Sequence, residues 1–172
     1  MVVRLADELA RVDALVIPGG ESTTMSRLIR VFGLEAPLRR RIDSGMPCMA
    51  TCAGLILLSS TVLDGRGDQL TFGTFDVTVR RNAYGRQVAS FEADVDVDPL
   101  GAVPFPGVFI RAPGIERVGA AAHVIATLAG KPVAVVQGPH LGLGFHPEMT
   151  EDLRLHEMFV RGVTEHLEEN AA

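Results

Sequence analysis

Pro47-Cys48-Met49-Ala50-Thr51-Cys52-Ala53-Gly54-Leu55-Ile56-Leu57-Leu58 is the stretch whose reading decides the fold. Pro47 to Thr51 has the unbroken, small and apolar character of a strand buried on both faces. It runs without a linker through Cys52-Ala53-Gly54 into Leu55-Ile56-Leu57-Leu58, which reads as a helix. A strand, a tight turn and a helix therefore meet at a cysteine. This is the nucleophile-elbow arrangement with a thiol in place of the serine hydroxyl. Such a turn presents sulfur at the carboxyl end of a strand. The helix amino terminus beside it favours the thiolate, and the N–H after the nucleophile is placed to meet an oxyanion. The plainer alternative is a small cysteine buried in a strand–helix turn. Ala50 also departs from the elbow pattern, because that position usually holds glycine and a methyl crowds a strained turn.

Outward from this stretch the same alternation recurs. Ala14-Leu15-Val16-Ile17 is a short apolar run stopped by Pro18-Gly19-Gly20, as a buried strand would be. Ser22-Thr23-Thr24 then supplies N-cap chemistry for a helix through about Phe32. A second helix fits Pro37 to Ser44 and stops at Gly45. Further on, Thr74 to Arg81 and Phe91 to Val97 alternate in the manner of strands with one wet face. Val108-Phe109-Ile110 is another strand, closed by Pro113-Gly114. Pro132 to Gln137 and Leu141 to Phe145 form a hairpin-like pair around Gly138-Pro139. The last helix covers roughly Glu151 to Glu168, with Leu155, Met158, Phe159 and Val163 on one face. Early strand–helix alternation with extra strands in the middle predicts an α/β three-layer fold around a mixed sheet.

Composition bounds the function. A chain of 172 residues with 47% apolar and 22% charged residues suits one compact domain, residues 1–172. A net charge of −5 without a block of like charges argues against nucleic acid and anionic membrane surfaces as partners. No apolar stretch approaches the ~18 residues that span a bilayer. Met1 to Glu8 is charged early and has no apolar signal core. Cys48 and Cys52 are too few for a disulfide framework, so a reduced, cytoplasmic protein is expected.

Two further segments carry chemistry. Phe145-His146-Pro147-Glu148 puts an imidazole and a carboxylate one residue apart at the end of a strand. A thiol nucleophile needs an imidazole base, and the base needs a carboxylate to fix its tautomer and orientation. The alternative is a polar pair in a surface loop. His123, His140, His156 and His166 have no comparable setting. In Pro18-Gly19-Gly20-Glu21-Ser22-Thr23-Thr24 the two glycines let backbone approach a ligand and turn N–H groups toward an anion. No Gly-Lys-Ser/Thr follows, and the dinucleotide Gly-x-Gly-x-x-Gly pattern is absent, so neither nucleotide motif applies. Cys48 and Cys52, four apart on a regular strand, would point the same way, but there is no second cysteine pair to complete a zinc site. No metal and no cofactor are expected.

Together these segments resemble the triad-type (class I) glutamine amidotransferases and, more narrowly, the family of glutaminase subunits of pyridoxal 5′-phosphate synthase. The resemblance lies in Pro18-Gly19-Gly20-Glu21-Ser22-Thr23-Thr24-Met25, Thr51-Cys52-Ala53-Gly54, Arg81-Asn82-x-Tyr84-Gly85-Arg86-Gln87, Ser90-Phe91-Glu92-Ala93-Asp94, Val108-Phe109-Ile110-Arg111-Ala112-Pro113 and Phe145-His146-Pro147-Glu148-Met149-Thr150. They occur in the family's order over nearly the whole chain. The resemblance implies a flavodoxin-like three-layer fold, a Cys52-His146-Glu148 triad, and an oxyanion hole from the N–H groups of Gly20 and Ala53. It implies that Gly20, Glu21, Ser22, Arg81, Ile110 and Arg111 hold glutamine. It further implies that the ammonia released passes to a (β/α)₈-barrel synthase subunit in a hetero-oligomer. Alternatives are a glutaminase serving another biosynthetic synthase, and a non-catalytic assembly module on the same fold. The family pattern opens with a strand, a Leu-Gln-Gly turn and a helix that have no counterpart here. The expectation is a fold lacking that first strand and helix, with neighbouring strands exposed.

Overall fold

The computed structural model describes residues 1–81, 83 and 90–171. Of the Arg-Asn-x-Tyr-Gly-Arg-Gln segment, Asn82, Tyr84, Gly85, Arg86 and Gln87 lie outside the described residues. After the short helix α1 (Ala6–Leu9), the chain alternates as the sequence predicts. It passes through β1 (Leu15–Ile17), α2 (Ser22–Val31), α3 (Glu35–Asp43), β2 (Cys48–Thr51) and α4 (Ala53–Leu58). The described middle is strand apart from one 3₁₀ turn at Asp98–Leu100: β3 (Ser59–Val62), β4 (Phe75–Arg80), β5 (Ser90–Val95), β6 (Phe105–Ile110), β7 (Gly114–Val118), β8 (His123–Leu128), β9 (Lys131–Gln137) and β10 (His140–Leu143). Helix α5 (Arg154–Ala171) follows a single 3₁₀ turn at Pro147–Met149. No described helix is long and apolar enough to cross a membrane.

The main sheet has the order β1-β2-β10-β9-β8. β2 is parallel to both β1 and β10, whereas β10-β9 and β9-β8 are antiparallel. It is the mixed sheet expected. β1 is its edge strand, and Val16 there is half exposed. Two smaller sheets, β3-β4-β7 and the β5-β6 pair, complete the strand content of the described residues.

Alternation along β2 explains the layering. Cys48 and Ala50 enter one core with Leu38, Ile42, Leu55, Leu57, Phe75 and Val77. Met49 enters the other with Phe105, Phe109, Phe145, Leu155 and Phe159. Side chains two apart on a strand share a face, so one central strand serves two cores. Ala50 sits between Ile17 and Gly142 in register and is fully buried, so its methyl is accommodated.

Helix ends follow their local chemistry, with one correction. The N-cap of α2 is Glu21, whose carboxylate accepts from the N–H groups of Thr23 and Thr24, rather than a residue of Ser22-Thr23-Thr24. Ser22 is already helical, and its hydroxyl is turned inward to donate to Gln69 Oε1 at 2.9 Å. α3 ends as predicted at Gly45, whose φ is +91°. There Met46 N–H donates to Arg41 O and Gly45 N–H donates to Ile42 O, a Schellman closure. The expectation that Cys48 and Cys52 share a side also fails. The strand ends at Thr51, and Cys52 adopts φ 49°, ψ −104°, which swings its side chain off the strand's alternation. No group of three or more metal-ligating side chains occurs among the described residues.

Candidate active site

Three strand ends meet at the carboxyl edge of the parallel part of the sheet. β1 delivers Gly19 and Gly20, β2 delivers Cys52, and β10 delivers His146. Open α/β sheets place their ligand crevices there.

Cys52 stands at the turn between β2 and α4 in a backbone conformation that a side chain rarely adopts. The surroundings hold it there. Its N–H donates to Leu143 O at 2.8 Å, and its own carbonyl accepts from Ile56 N–H at 3.3 Å. Gly54 is required for packing, since a Cβ on it would overlap the Ile17 carbonyl oxygen. β1 therefore lies directly against the first turn of α4. The Cys52 thiol points to Ile110 O at 3.8 Å.

His146 follows β10 and is almost fully buried. Its N–H donates to Val108 O at 2.8 Å, which ties the loop to β6. The ring Nδ1 lies 2.8 Å from Glu148 Oε1, and Glu148 also accepts from Thr51 Oγ1 at 3.4 Å. The Cys52 side chain is the largest cause of a raised His146 pKa, Glu148 is the next, and burial opposes both; the result is about 10. Burial works against the Glu148 carboxylate, but its bonds with His146 and Thr51 outweigh this and hold its pKa below the ordinary value. His146 Nε2 makes no hydrogen bond to the described residues. The thiol–imidazole contact is thus loose, and such contacts tighten in the substrate complex. The other cysteine contrasts sharply. Cys48 is wholly buried, donates to Met46 O, and burial pushes its pKa up to about 12.

A cavity of about 350 Å³ is lined by Gly20, Glu21, Ser22, Cys52, Ile56, Arg81, Ile110, Arg111 and His146. It gathers all six residues singled out for holding glutamine together with Cys52 and His146. Glu148 lies behind His146, outside this lining. Ala53, the first residue of α4, is buried beneath Cys52 and offers only backbone. At the mouth Arg81 Nη2 pairs with Glu21 Oε1 at 3.1 Å and Nη1 reaches Thr23 Oγ1 at 3.4 Å. The Thr24 hydroxyl is the largest of several donors that lower the Glu21 pKa to about 2. Arg111 has φ +45°, a second strained residue in the same wall.

Sequence reasoning missed Ile56, Thr51 and Gln69. Ile56 was findable, because it lies one helical turn beyond Cys52 and shares its face. Thr51 and Gln69 carried no local signal. Thr51 reaches Glu148 across 97 residues of chain and Gln69 reaches Ser22 across 47.

The chain has counterparts among known proteins. Residues 1–165 match the model of the SNO glutamine amidotransferase family. A curated relative from Streptomyces avermitilis, named pyridoxal 5′-phosphate synthase subunit PdxT, is 56% identical over 158 residues, covering 92% of this chain and 79% of its own. One of the same name from Mycobacteroides abscessus is 54% identical, over 92% and 81% of the two chains. A crystal structure described as a glutamine amidotransferase superposes with a TM-score of 0.87 at 44% identity, covering 94% of this chain and 85% of that one. A GMP synthase subunit from Thermoplasma acidophilum, 16% identical with a TM-score of 0.65, shares the fold. On these matches, the chain belongs to the SNO glutamine amidotransferase family.

Proposed function

We propose that the chain acts as one glutaminase domain in which Cys52 is the nucleophile, His146 the general base and acid, and Glu148 the group that orients His146. The observation that carries this is the cavity joining Cys52 and His146 to Gly20, Glu21, Ser22, Arg81, Ile110 and Arg111. Cys52 gives its proton to His146, whose raised pKa suits it to keep that proton. The sulfur attacks the side-chain carbonyl carbon of glutamine. The developing oxyanion meets the N–H groups of Gly20 and Ala53. The imidazolium protonates the departing nitrogen, and ammonia leaves. Water, deprotonated by His146, then cleaves the thioester and releases glutamate.

The substrate is an amino acid with a carboxylate and an ammonium at one end. Arg81 suits the carboxylate, and the Glu21 carboxylate with the Ile110 carbonyl suits the ammonium. Arg81 must leave Glu21 as it takes up the substrate, so the pair acts as an internal stand-in for glutamine. The PdxT relatives are named as pyridoxal 5′-phosphate synthase subunits. Our reading is that the ammonia feeds such a synthase, whose partner subunit is a (β/α)₈ barrel in a hetero-oligomer, in the cytoplasm. No metal or cofactor enters the reaction as written. A glutamine-like electrophile, such as a diazoketone analogue, tests the site directly. Mass spectrometry should find one adduct, on Cys52, that excess glutamine prevents. Labelling of Cys48, or labelling insensitive to glutamine, would count against the assignment.

A further inference from the structure

Gly19 and Gly20 stand together after β1, yet they answer different demands. Gly20 lines the cavity and has φ +150°, so its backbone conformation favours glycine. Gly19 does not line the cavity, and its φ lies outside the left-handed region. Conformation therefore does not require glycine at 19. Space does. A Cβ on Gly19 would overlap Cε1 of His146 and would lie 3.0 Å from Nδ1 and 3.3 Å from Nε2. All three atoms belong to one ring, and no other group comes as near. Gly54 differs, because the atoms nearest a Cβ there are the backbone and Cβ of Ile17.

The ring has little freedom to yield. His146 is 9% exposed, its N–H is held by Val108 O, and Nδ1 is held by Glu148. We propose that Gly19 is a positioning residue whose bare Cα forms the seat of the His146 imidazole, holding the ring between Cys52 and Glu148. A methyl group at 19 would push the ring off that seat. This rests on the reading of His146 as the catalytic base. It gives the first glycine of the Gly-Gly pair a role toward the enzyme's own base, while the second faces the ligand.

The test is Gly19→Ala, alone and combined with His146→Ala. Glutaminase kcat should fall about a hundredfold, the effect of an ångström-scale misplacement, with KM little changed. The His146 ring, followed by NMR, should titrate nearer the ordinary histidine value, since it moves away from both Cys52 and Glu148. Gly19→Ala should lower the melting temperature when the imidazole is present, and should not lower it in the His146→Ala background. If Gly19→Ala alone does not fold, the double variant should recover the fold. A wild-type kcat and ring titration in Gly19→Ala would overturn the proposal. So would an equal loss of melting temperature in both backgrounds, or a double variant that also fails to fold. Should the wild-type protein show no Cys52-dependent activity, the glutaminase reading falls, while the titration and the melting cycle still decide the role of Gly19.

Discussion

Cys48 and Cys52 are the same residue four positions apart, and their surroundings make them chemically opposite. Cys48 faces an apolar core, and burial holds it as a thiol. Cys52 has left the strand and lines a cavity with His146. Reactivity follows the thiolate, so iodoacetamide at neutral pH should alkylate Cys52 and spare Cys48 until the protein unfolds. Peptide mapping reads this, and comparable labelling of both would contradict it. The orienting role proposed for Glu148 is measurable as well. Replacing Glu148 with Gln leaves the shape but removes the charge that steadies the imidazolium, and comparable changes in Ser-His-Asp triads cost about four orders of magnitude in kcat. A loss of several orders of magnitude, with KM little altered, is expected for Glu148→Gln. Thr51 acts through Glu148, bonding the same oxygen that His146 uses. Thr51→Val should lower kcat less than Glu148→Gln does, and Thr51→Ser should restore it. A Thr51→Val enzyme indistinguishable from wild type would show that the 3.4 Å bond contributes nothing.

The elements show what local sequence could and could not reveal. β1, β2, α3, the β9-β10 pair and α5 were legible because each has a clear apolar run or stripe and recognisable ends. β3, β7 and β8 were not. β3 starts at the residue after α4, so no turn residue separates them. β8 has two exposed and then two buried residues instead of alternation. Its strand character comes from pairing with β9, which is tertiary and invisible to a periodicity reading. The candidate site was legible by segments, because Cys52, His146 and Gly20 each follow within three residues of a strand end. The partners that cross long stretches of chain were not. Glu21 shows the limit well. It reads as a substrate residue, and in the fold it is also the helix cap of α2 and the partner of Arg81. Glu21→Ala should therefore cost about 1 kcal/mol of stability through the lost cap, besides weakening glutamine binding. Denaturant melts read the first effect and KM the second. An unchanged melt would mean that Thr23 and Thr24 N–H find replacement acceptors.

At the scale of the whole molecule, titration links the site to stability. His146 has a folded pKa of about 10, above its ordinary 6.5, so its stabilising share is complete below pH 6.5 and is lost as pH rises through about 10. Cys48 acts over a higher window, since its thiol titrates at 9 when exposed and at about 12 when folded. Stability should decline from about pH 7, most steeply between about pH 9 and 10 where the two windows overlap, and go on declining to about pH 12. Cys48→Ala should remove the later part, whereas His146→Ala should remove the earlier one. On the acid side Glu21 and Glu148, both lowered, contribute above their ordinary 4.5 and lose that contribution as pH falls below it. A stability curve flat from pH 6 to 11 would contradict this assignment. The same fold brings three strand ends to one edge, the edge at which glutamine is proposed to be hydrolysed. The most direct measurement is glutamate release from glutamine, with and without the proposed synthase partner, for wild type and Cys52→Ala. Release that rises with the partner and disappears in Cys52→Ala is the predicted result. Release that persists in folded Cys52→Ala, or none from folded wild type in the presence of the partner, would contradict the account.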